Sequence, residues 1–290
     1  MGMSNDLLRR MEDGMSSFSK GQRQIARYII DHYEKAAYMT ASKLGAAVNI
    51  SESTVVRFAI ELGFDGYPEF QRAMQDIIRN RLTSFQRIEV TNHLIGDGDV
   101  LEKVLNSDAE KIKHTAECID HAAFDAAVDK LIGAKRIYIL GVRSSEALAG
   151  FLNYSLRMVF DNVQLIHATS GSEVFEQLVN IGPNDVLFAI SFPRYSKRVV
   201  TAVEFAHRAG ADVVALTDSV KSPIAALADQ LLTAQSDMAS FVDSLVAPLS
   251  ILNALIVALS RKKQDELTAR LRRLEQIWDE YEVYDTSSHS

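Results

Sequence analysis

The stretch from Thr40 to Phe64, TASKLGAAVNISESTVVRFAIELGF, constrains this chain most, because it reads as two short helices joined by a tight turn. Thr40 offers a hydroxyl to cap the first helix, and Leu44, Ala47 and Val48 lie at helical spacing on one face. Asn49 breaks the pattern and Ile50 plugs the angle between the helices. Ser51 then offers an N-cap to a second helix with Val55, Phe58, Ala59 and Leu62 on its buried side. Glu52, Ser53, Thr54 and Arg57 stay exposed at its start. Small hydroxyls let a helix approach DNA closely, and an arginine one turn on reaches a phosphate or the O6/N7 edge of guanine. The residues expected to face nucleic acid are therefore Ser51, Ser53, Thr54 and Arg57, with Thr40 and Lys43 on the first helix. Two amphipathic helices also serve as a mere packing motif. What favours reading over packing is the exit: Gly63, Phe64, Gly66 and Tyr67 form an aromatic, glycine-punctuated turn, and Pro68 stands where a further helix begins.

A net charge of −7, from 31 Lys/Arg against 38 Asp/Glu, looks wrong for DNA until it is divided along the chain. Residues 1–81 hold 11 basic against 10 acidic side chains, and the remainder holds 20 against 28. The acid lies outside the candidate reader, which is left with few phosphate contacts per copy. The apolar content of 47% over 290 residues is that of a globular chain with room for two cores. No run of about eighteen apolar residues occurs, so no membrane partner is expected. The N-terminus lacks the apolar stretch of a secretory signal, and a single cysteine, Cys118, fits a reducing cytoplasm.

Residues 1–17 suggest only a loose helix around Leu7, Leu8 and Met11. A firmer helix starts at Ser19 with Ile25, Ala26, Ile29 and Ile30 on its stripe, and another after Pro68 turns Phe70, Met74 and Ile77 inward. These close an all-helical domain over 1–81. Residues 82–133 read as a helical linker, in which 83–99 show no sustained period and two amphipathic helices follow before Gly133.

From Arg136 the texture changes. IYIL at 137–140, VQLI at 163–166, VLFAI at 186–190, VVAL at 213–216 and QLLT at 230–233 are strand-length apolar runs. Helical segments separate them near 145–160, 171–180, 196–209 and 222–228, and a long apolar helix over about 241–259 follows. Such alternation predicts an α/β fold: a doubly wound parallel sheet over 134–262, covered on both faces. A C-terminal helix and tail occupy 263–290, with Leu267, Leu271, Leu274, Trp278 and Tyr281 at alternating steps of four and three. That seam either lies on its own domain or meets another subunit.

Ligands of open parallel sheets bind beyond the carboxyl ends of the strands. After the first strand comes GVRSSEALAG, with Arg143, Ser144 and Ser145, and after the third comes SFPRYSKR, with Ser191, Arg194 and Ser196. Serines there can be simple N-caps, but two neighbouring loops with the same content suit an anion such as phosphate or carboxylate. The glycine fingerprint and acidic ribose partner of a dinucleotide site are missing, so no cofactor is indicated. His114, Cys118 and His121 approach one helical face, without a fourth partner that would make a metal site. Glu173, Glu176 and His167 follow the second strand and are the candidates for a general base if the site is catalytic.

With both parts in view, the chain resembles the RpiR family of bacterial transcriptional regulators, which join a helix-turn-helix domain to a sugar isomerase (SIS) domain. ISESTVVRFAIELGFDGYPEF is similar to the family's Ser-x-x-Thr-x-x-Arg-Phe helix and Leu-Gly-Phe turn, matched by Ser51, Thr54, Arg57 and Phe58. GVRSS and SFPRYSK resemble its two phosphate loops, and LTDS at 216–219 with SPIAALAD at 222–229 its next loop and helix, which adds Thr217 to the expected ligand residues. Where SIS domains often carry Ser-x-x-Gly-x-Thr, this chain has Pro193, Arg194 and Ser196, which narrows the pocket and extends the ligand class from phosphosugars to sugar acids and other organic acids. The resemblance implies no enzyme activity, an operator on double-stranded DNA, a small anionic effector, and a homodimer or tetramer. The alternative is a phosphosugar isomerase or lyase with an accessory helical domain.

Overall fold

The computed structural model describes residues 4–79, 83–96, 98–167, 170–238 and 240–284. They form two compact units, residues 1–103 with 238–243, and residues 104–237 with 244–290.

The first unit is helical: α1 (Ser4–Asp13), α2 (Lys20–Asp31), the single turn α3 (Tyr33–Ala36), α4 (Ala41–Val48), α5 (Glu52–Glu61), α6 (Tyr67–Arg79) and α7 (Ser84–Ile95). Ser19 starts α2 through a capping box with Gln22, and Thr40 caps α4 by accepting from Lys43 N at 3.2 Å. Asn49 turns the chain in the left-handed region (φ 57°), where its short polar side chain costs little. Phe58 of α5 is the centre of the core, set edge-on to Phe18 at 5.3 Å and to Phe70 at 6.0 Å between ring centroids. Val55, Ala59, Leu62, Leu44, Ile25, Ile29 and Met74 are buried around it. The Tyr67 hydroxyl donates to Met39 O at 2.7 Å, and burial pushes this phenol well above its ordinary range.

Three sequence expectations change here. Ala47 is exposed, and α4 instead turns Ala41, Leu44 and Gly45 inward. The helix expected around Leu7, Leu8 and Met11 is present as α1 but is not loose, since Leu7 and Met11 are buried in the core. The stretch 83–99 contains a regular helix, α7, begun by a capping box between Thr83 and Gln86. The Ile77 side chain lies outside the described residues.

The second unit begins along α8 (Val100–Cys118) and α9 (His121–Gly133) and holds β1 (Arg136–Gly141), α10 (Ser144–Val159), β2 (Val163–Leu165), α11 (Gly171–Leu178), β3 (Asp185–Ile190), α12 (Lys197–Arg208), β4 (Asp212–Thr217), β5 (Gln230–Thr233), α13 (Val246–Lys262) and α14 (Gln264–Glu280). The five strands are all parallel in the order β2-β1-β3-β4-β5. Alternate strand residues serve opposite faces, as a pleat requires. Ile137, Ile139, Phe188 and Val214 meet the cluster that holds residues of α9, α10 and α13, while Tyr138, Leu140, Leu187 and Val213 meet residues of α11 and α12. The segment 222–228 yields only a 3-10 turn, Ala225–Leu227, and the long helix starts at Val246 because Met238–Asp243 belongs to the helical unit. α14 buries none of its residues; Leu267 touches the sheet unit's core, and Arg270 pairs with Asp161 at 2.6 Å.

Candidate functional site

The strand order decides what the sheet presents at its carboxyl end. β1 and β3 are neighbours although β2 lies between them in sequence, so their crossovers leave in opposite directions and open a crevice. The register places Gly141 beside Ile190 and Ile190 beside Leu216, so the chain leaves the sheet at Val142, Ser191 and Thr217 side by side, about 4.8 Å apart. Ser191 N donates to Leu216 O at 3.1 Å, which locks the second and third exits together. All seven residues expected to hold a ligand stand on these three exits. Ser145, Ser191 and Thr217 are buried, Arg194 and Ser196 half-buried, and Arg143 and Ser144 exposed.

The first exit has no loop to spare. Arg143 is already the residue before α10, with Ser145 N donating to Val142 O at 3.2 Å and Glu146 N to Arg143 O at 3.1 Å. A Cβ on Gly141 would stand 2.4 Å from Ser145 O, which is why glycine ends this strand. Arg143 takes φ 58° and ψ −126°, and Arg194 on the second exit takes φ 62°. Such backbone costs on the order of 1–3 kcal/mol for a non-glycine residue and collects at functional sites.

The hydroxyls at these exits are not spent on capping. α10 and α12 have no side-chain cap at all, Ser196 included, although it occupies the N-cap position of α12. Elsewhere the chain caps with care: Ser19, Thr83 and Ser170 each make a full capping box. Two helix N-termini therefore meet the crevice with their first amides, their positive dipole ends and an arginine apiece.

Sequence reading passed over Tyr195 and Asp218. The Tyr195 hydroxyl donates to Asp218 Oδ1 at 2.8 Å, and Thr217 Oγ1 donates to the same oxygen at 3.2 Å, tying the second exit to the third. Both residues stand in the motifs already singled out, but only the strand order makes them neighbours. Other candidates find different employment. Glu173 accepts from Ser170 N at 3.1 Å in the capping box of α11, and the backbone of His167 is held by Gln177. His114 Nε2 lies 3.9 Å from Cys118 Sγ, and among the described residues no three His, Cys, Asp or Glu gather as metal ligands.

In the helical unit, Ser51 precedes α5 without capping it. Its hydroxyl meets those of Ser53 at 3.1 Å and Thr54 at 2.9 Å, a correction to its expected cap role. Arg57 lies back over the same turn, 3.4 Å from both Ser53 O and Thr54 Oγ1. Ser51, Ser53 and Arg57 are exposed and Thr54 half-buried, so the start of α5 presents uncommitted amides, three hydroxyls and one guanidinium on a single face. Lys43 is exposed on α4, and Thr40 is engaged as that helix's cap.

Residues 5–81 match the helix-turn-helix domain of the rpiR family, and residues 130–258 match the SIS domain. An uncharacterized HTH-type transcriptional regulator of Caldanaerobacter subterraneus subsp. tengcongensis is 25% identical over 282 residues, 94% of this chain and 96% of that protein. The HTH-type transcriptional regulator HexR of Escherichia coli is 23% identical over 288 residues, 95% of each chain. Among solved structures, the Vibrio vulnificus NanR protein complexed with ManNAc-6P has a TM-score of 0.58 at 22% identity, covering 95% of this chain and 98% of that one, a likeness of fold. The sugar isomerase domain of an RpiR transcription factor from Sphaerobacter thermophilus gives 0.58 at 26% identity, covering 60% and 97%.

Proposed function

Because this chain belongs to the RpiR family and joins that family's helix-turn-helix domain to a SIS domain, we propose that it regulates transcription by binding an operator whose affinity is set by a small anionic metabolite, a phosphosugar or sugar acid. The observation that carries the ligand half is the pair of uncapped helix N-termini at adjoining strand ends, each with an arginine in left-handed backbone. Arg143, Arg194, Ser144, Ser145, Ser191, Ser196 and Thr217 are the residues we assign to it. NanR, complexed with a sugar phosphate on the same fold, supports that ligand class. The effector acts by binding one arrangement of the protein better than another, and a coupling of about 1–3 kcal/mol suffices.

The ligand is bound and released unchanged in this reading. Its support is that homologues carry regulator names and that Glu173, one of the candidate bases, is committed to a helix cap. A thermal-shift panel of sugar phosphates, phosphorylated sugar acids and unphosphorylated sugars tests it. An effector at a hundred times its dissociation constant adds about 2.7 kcal/mol of stability, and Arg143→Ala removes that gain. Conversion of the added sugar phosphate at ordinary enzyme rates would overturn the regulator reading in favour of an isomerase.

On the DNA side, Ser51, Ser53, Thr54 and Arg57 read the operator, with Lys43 and the α4 N-terminus at Thr40 on the backbone. Arg57→Ala is expected to weaken operator binding by about 1–3 kcal/mol and to leave the thermal midpoint unchanged, because the side chain is exposed. Unaltered affinity in a titration of operator DNA would remove α5 from the groove. Few basic residues surround this helix, so we hold that the protein acts in the cytoplasm as a homodimer or larger assembly, with reading helices about 34 Å apart or a multiple of that.

A further inference from the structure

The three strand exits do not offer a ligand the same chemistry. The first and second supply donors: the guanidiniums of Arg143 and Arg194, the hydroxyls of Ser144, Ser145 and Ser196, and the leading amides of α10 and α12, which no side chain caps. The third supplies acceptors. Asp218 Oδ1 receives the Tyr195 hydroxyl at 2.8 Å and the Thr217 hydroxyl at 3.2 Å. Each of those hydroxyls has a single proton, so once it is given to the carboxylate only oxygen lone pairs remain on Tyr195 and Thr217. The neighbouring oxygens are engaged as acceptors too, Thr217 O from Ala234 N at 2.8 Å and Ser219 Oγ from Lys221 N at 3.1 Å.

This polarity is fixed by the sheet. Thr217 is the last residue of β4, buried and in register with Thr233 of β5. Asp218 follows it half-buried, and Tyr195 reaches it from the loop that also carries Arg194. A carboxylate thus stands on the third exit of a crevice whose other two exits carry arginines. Charge then sorts the two ends of a bound molecule. Its anionic group belongs with Arg143 and Arg194, where the donors converge. Its opposite end meets Asp218, to which a hydroxyl can give a proton. A second carboxylate at that end has no proton to give and brings like charge to close range.

We propose that Asp218 selects among anionic effectors: it admits a molecule with one anionic group and a neutral, hydroxyl-bearing far end, a sugar phosphate, and turns away the phosphorylated sugar acid that carries a carboxylate at that end. This inference rests on the effector reading of the crevice and narrows it.

Isothermal titration calorimetry of the full chain tests it with matched pairs, glucose 6-phosphate against 6-phosphogluconate and ribose 5-phosphate against 5-phosphoribonate. The members of a pair share the phosphate and differ at carbon 1, which is a carbonyl in one and a carboxylate in the other. The unaltered protein binds the sugar phosphate of at least one pair, and binds it at least about 10-fold more tightly than the acid. Asp218→Asn keeps an oxygen for Tyr195 and Thr217 to donate to while removing the charge. It brings the two members of that pair to within about threefold of each other, chiefly by tightening the acid. Circular dichroism checks that the variant keeps its fold, and Asp218→Ser, smaller and equally uncharged, repeats the test should the amide misfold. Equal or tighter binding of the acid by the unaltered chain overturns this inference and leaves the effector reading in place. A preference that survives removal of the charge does the same. Should no member of either pair bind, the effector reading falls and this inference with it.

Discussion

Gly45→Ala is expected to cost about 3 kcal/mol of stability and to abolish operator binding, although Gly45 touches no DNA in our reading. The reason is the way α4 ends. Ile50 N donates to Gly45 O at 2.8 Å and Asn49 N to Ala46 O at 3.3 Å, with Asn49 left-handed between them. This is the Schellman arrangement, which folds the chain back over the last turn of its own helix. The return passes so close that a Cβ on Gly45 would lie 2.5 Å from Ile50 O and 3.4 Å from Glu52 N. Backbone atoms cannot rotate away as a side chain does, so Ile50 and Ser51 must move and carry the start of α5 with them. Gly150→Ala is the control: it sits inside α10 with nothing within 4 Å of the added carbon, and it should gain about 0.5–1 kcal/mol. Urea denaturation separates the two substitutions, and a Gly45→Ala chain with an unaltered midpoint would mean that the helices are less tightly apposed than this geometry requires.

That glycine shows where sequence reading stops. The pair of helices was legible because Leu44, Val55, Phe58 and Leu62 repeat at helical spacing around a polar break, a signal carried by neighbours in the chain. The five strands were legible for the same reason, and the runs beginning at Ile137, Val186, Val213 and Gln230 fall inside β1, β3, β4 and β5. Strand order is a different matter. Nothing in a run such as VLFAI says that it will lie beside IYIL rather than VQLI, so the adjacency of Arg143 to the loop of Arg194, and of Tyr195 to Asp218, waited for the sheet. The loop serines looked like caps because serine often is one, and only geometry distinguishes Ser170, which caps, from Ser196, which does not. α7 escaped notice because its pattern is inverted: Phe85 and Ile88 face solvent, while Arg87, Val90 and Thr91 are buried. A periodicity search weights arginine as surface and finds no stripe.

The inverted helix carries the other large effect. Arg87 Nη1 lies 3.0 Å from Asp243 Oδ1, with the two side chains 3% and 10% exposed, and the partners are 156 residues apart in the chain. Arg87→Ala is expected to destabilise the helical unit by about 3–5 kcal/mol, because it breaks a buried ion pair from one side and leaves the other charge out of water. Asp243→Ala should cost a similar amount by breaking the same buried pair from the other side. The double replacement Arg87→Met with Asp243→Leu should lose much less than the sum, since it removes both desolvated charges and leaves apolar volume in their place. Asp243 is no isolated anchor: it bridges Met238 across the ends of its short segment, and Met238 packs against the helical core. The ion pair therefore holds Met238–Asp243 in the helical unit, between β5 and α13 of the sheet unit in chain order. Equilibrium denaturation of the two single variants and the double variant decides the matter. Single losses below about 1 kcal/mol would place the pair among solvated surface bridges and leave the buried face of α7 to be explained by Val90 and Thr91 alone.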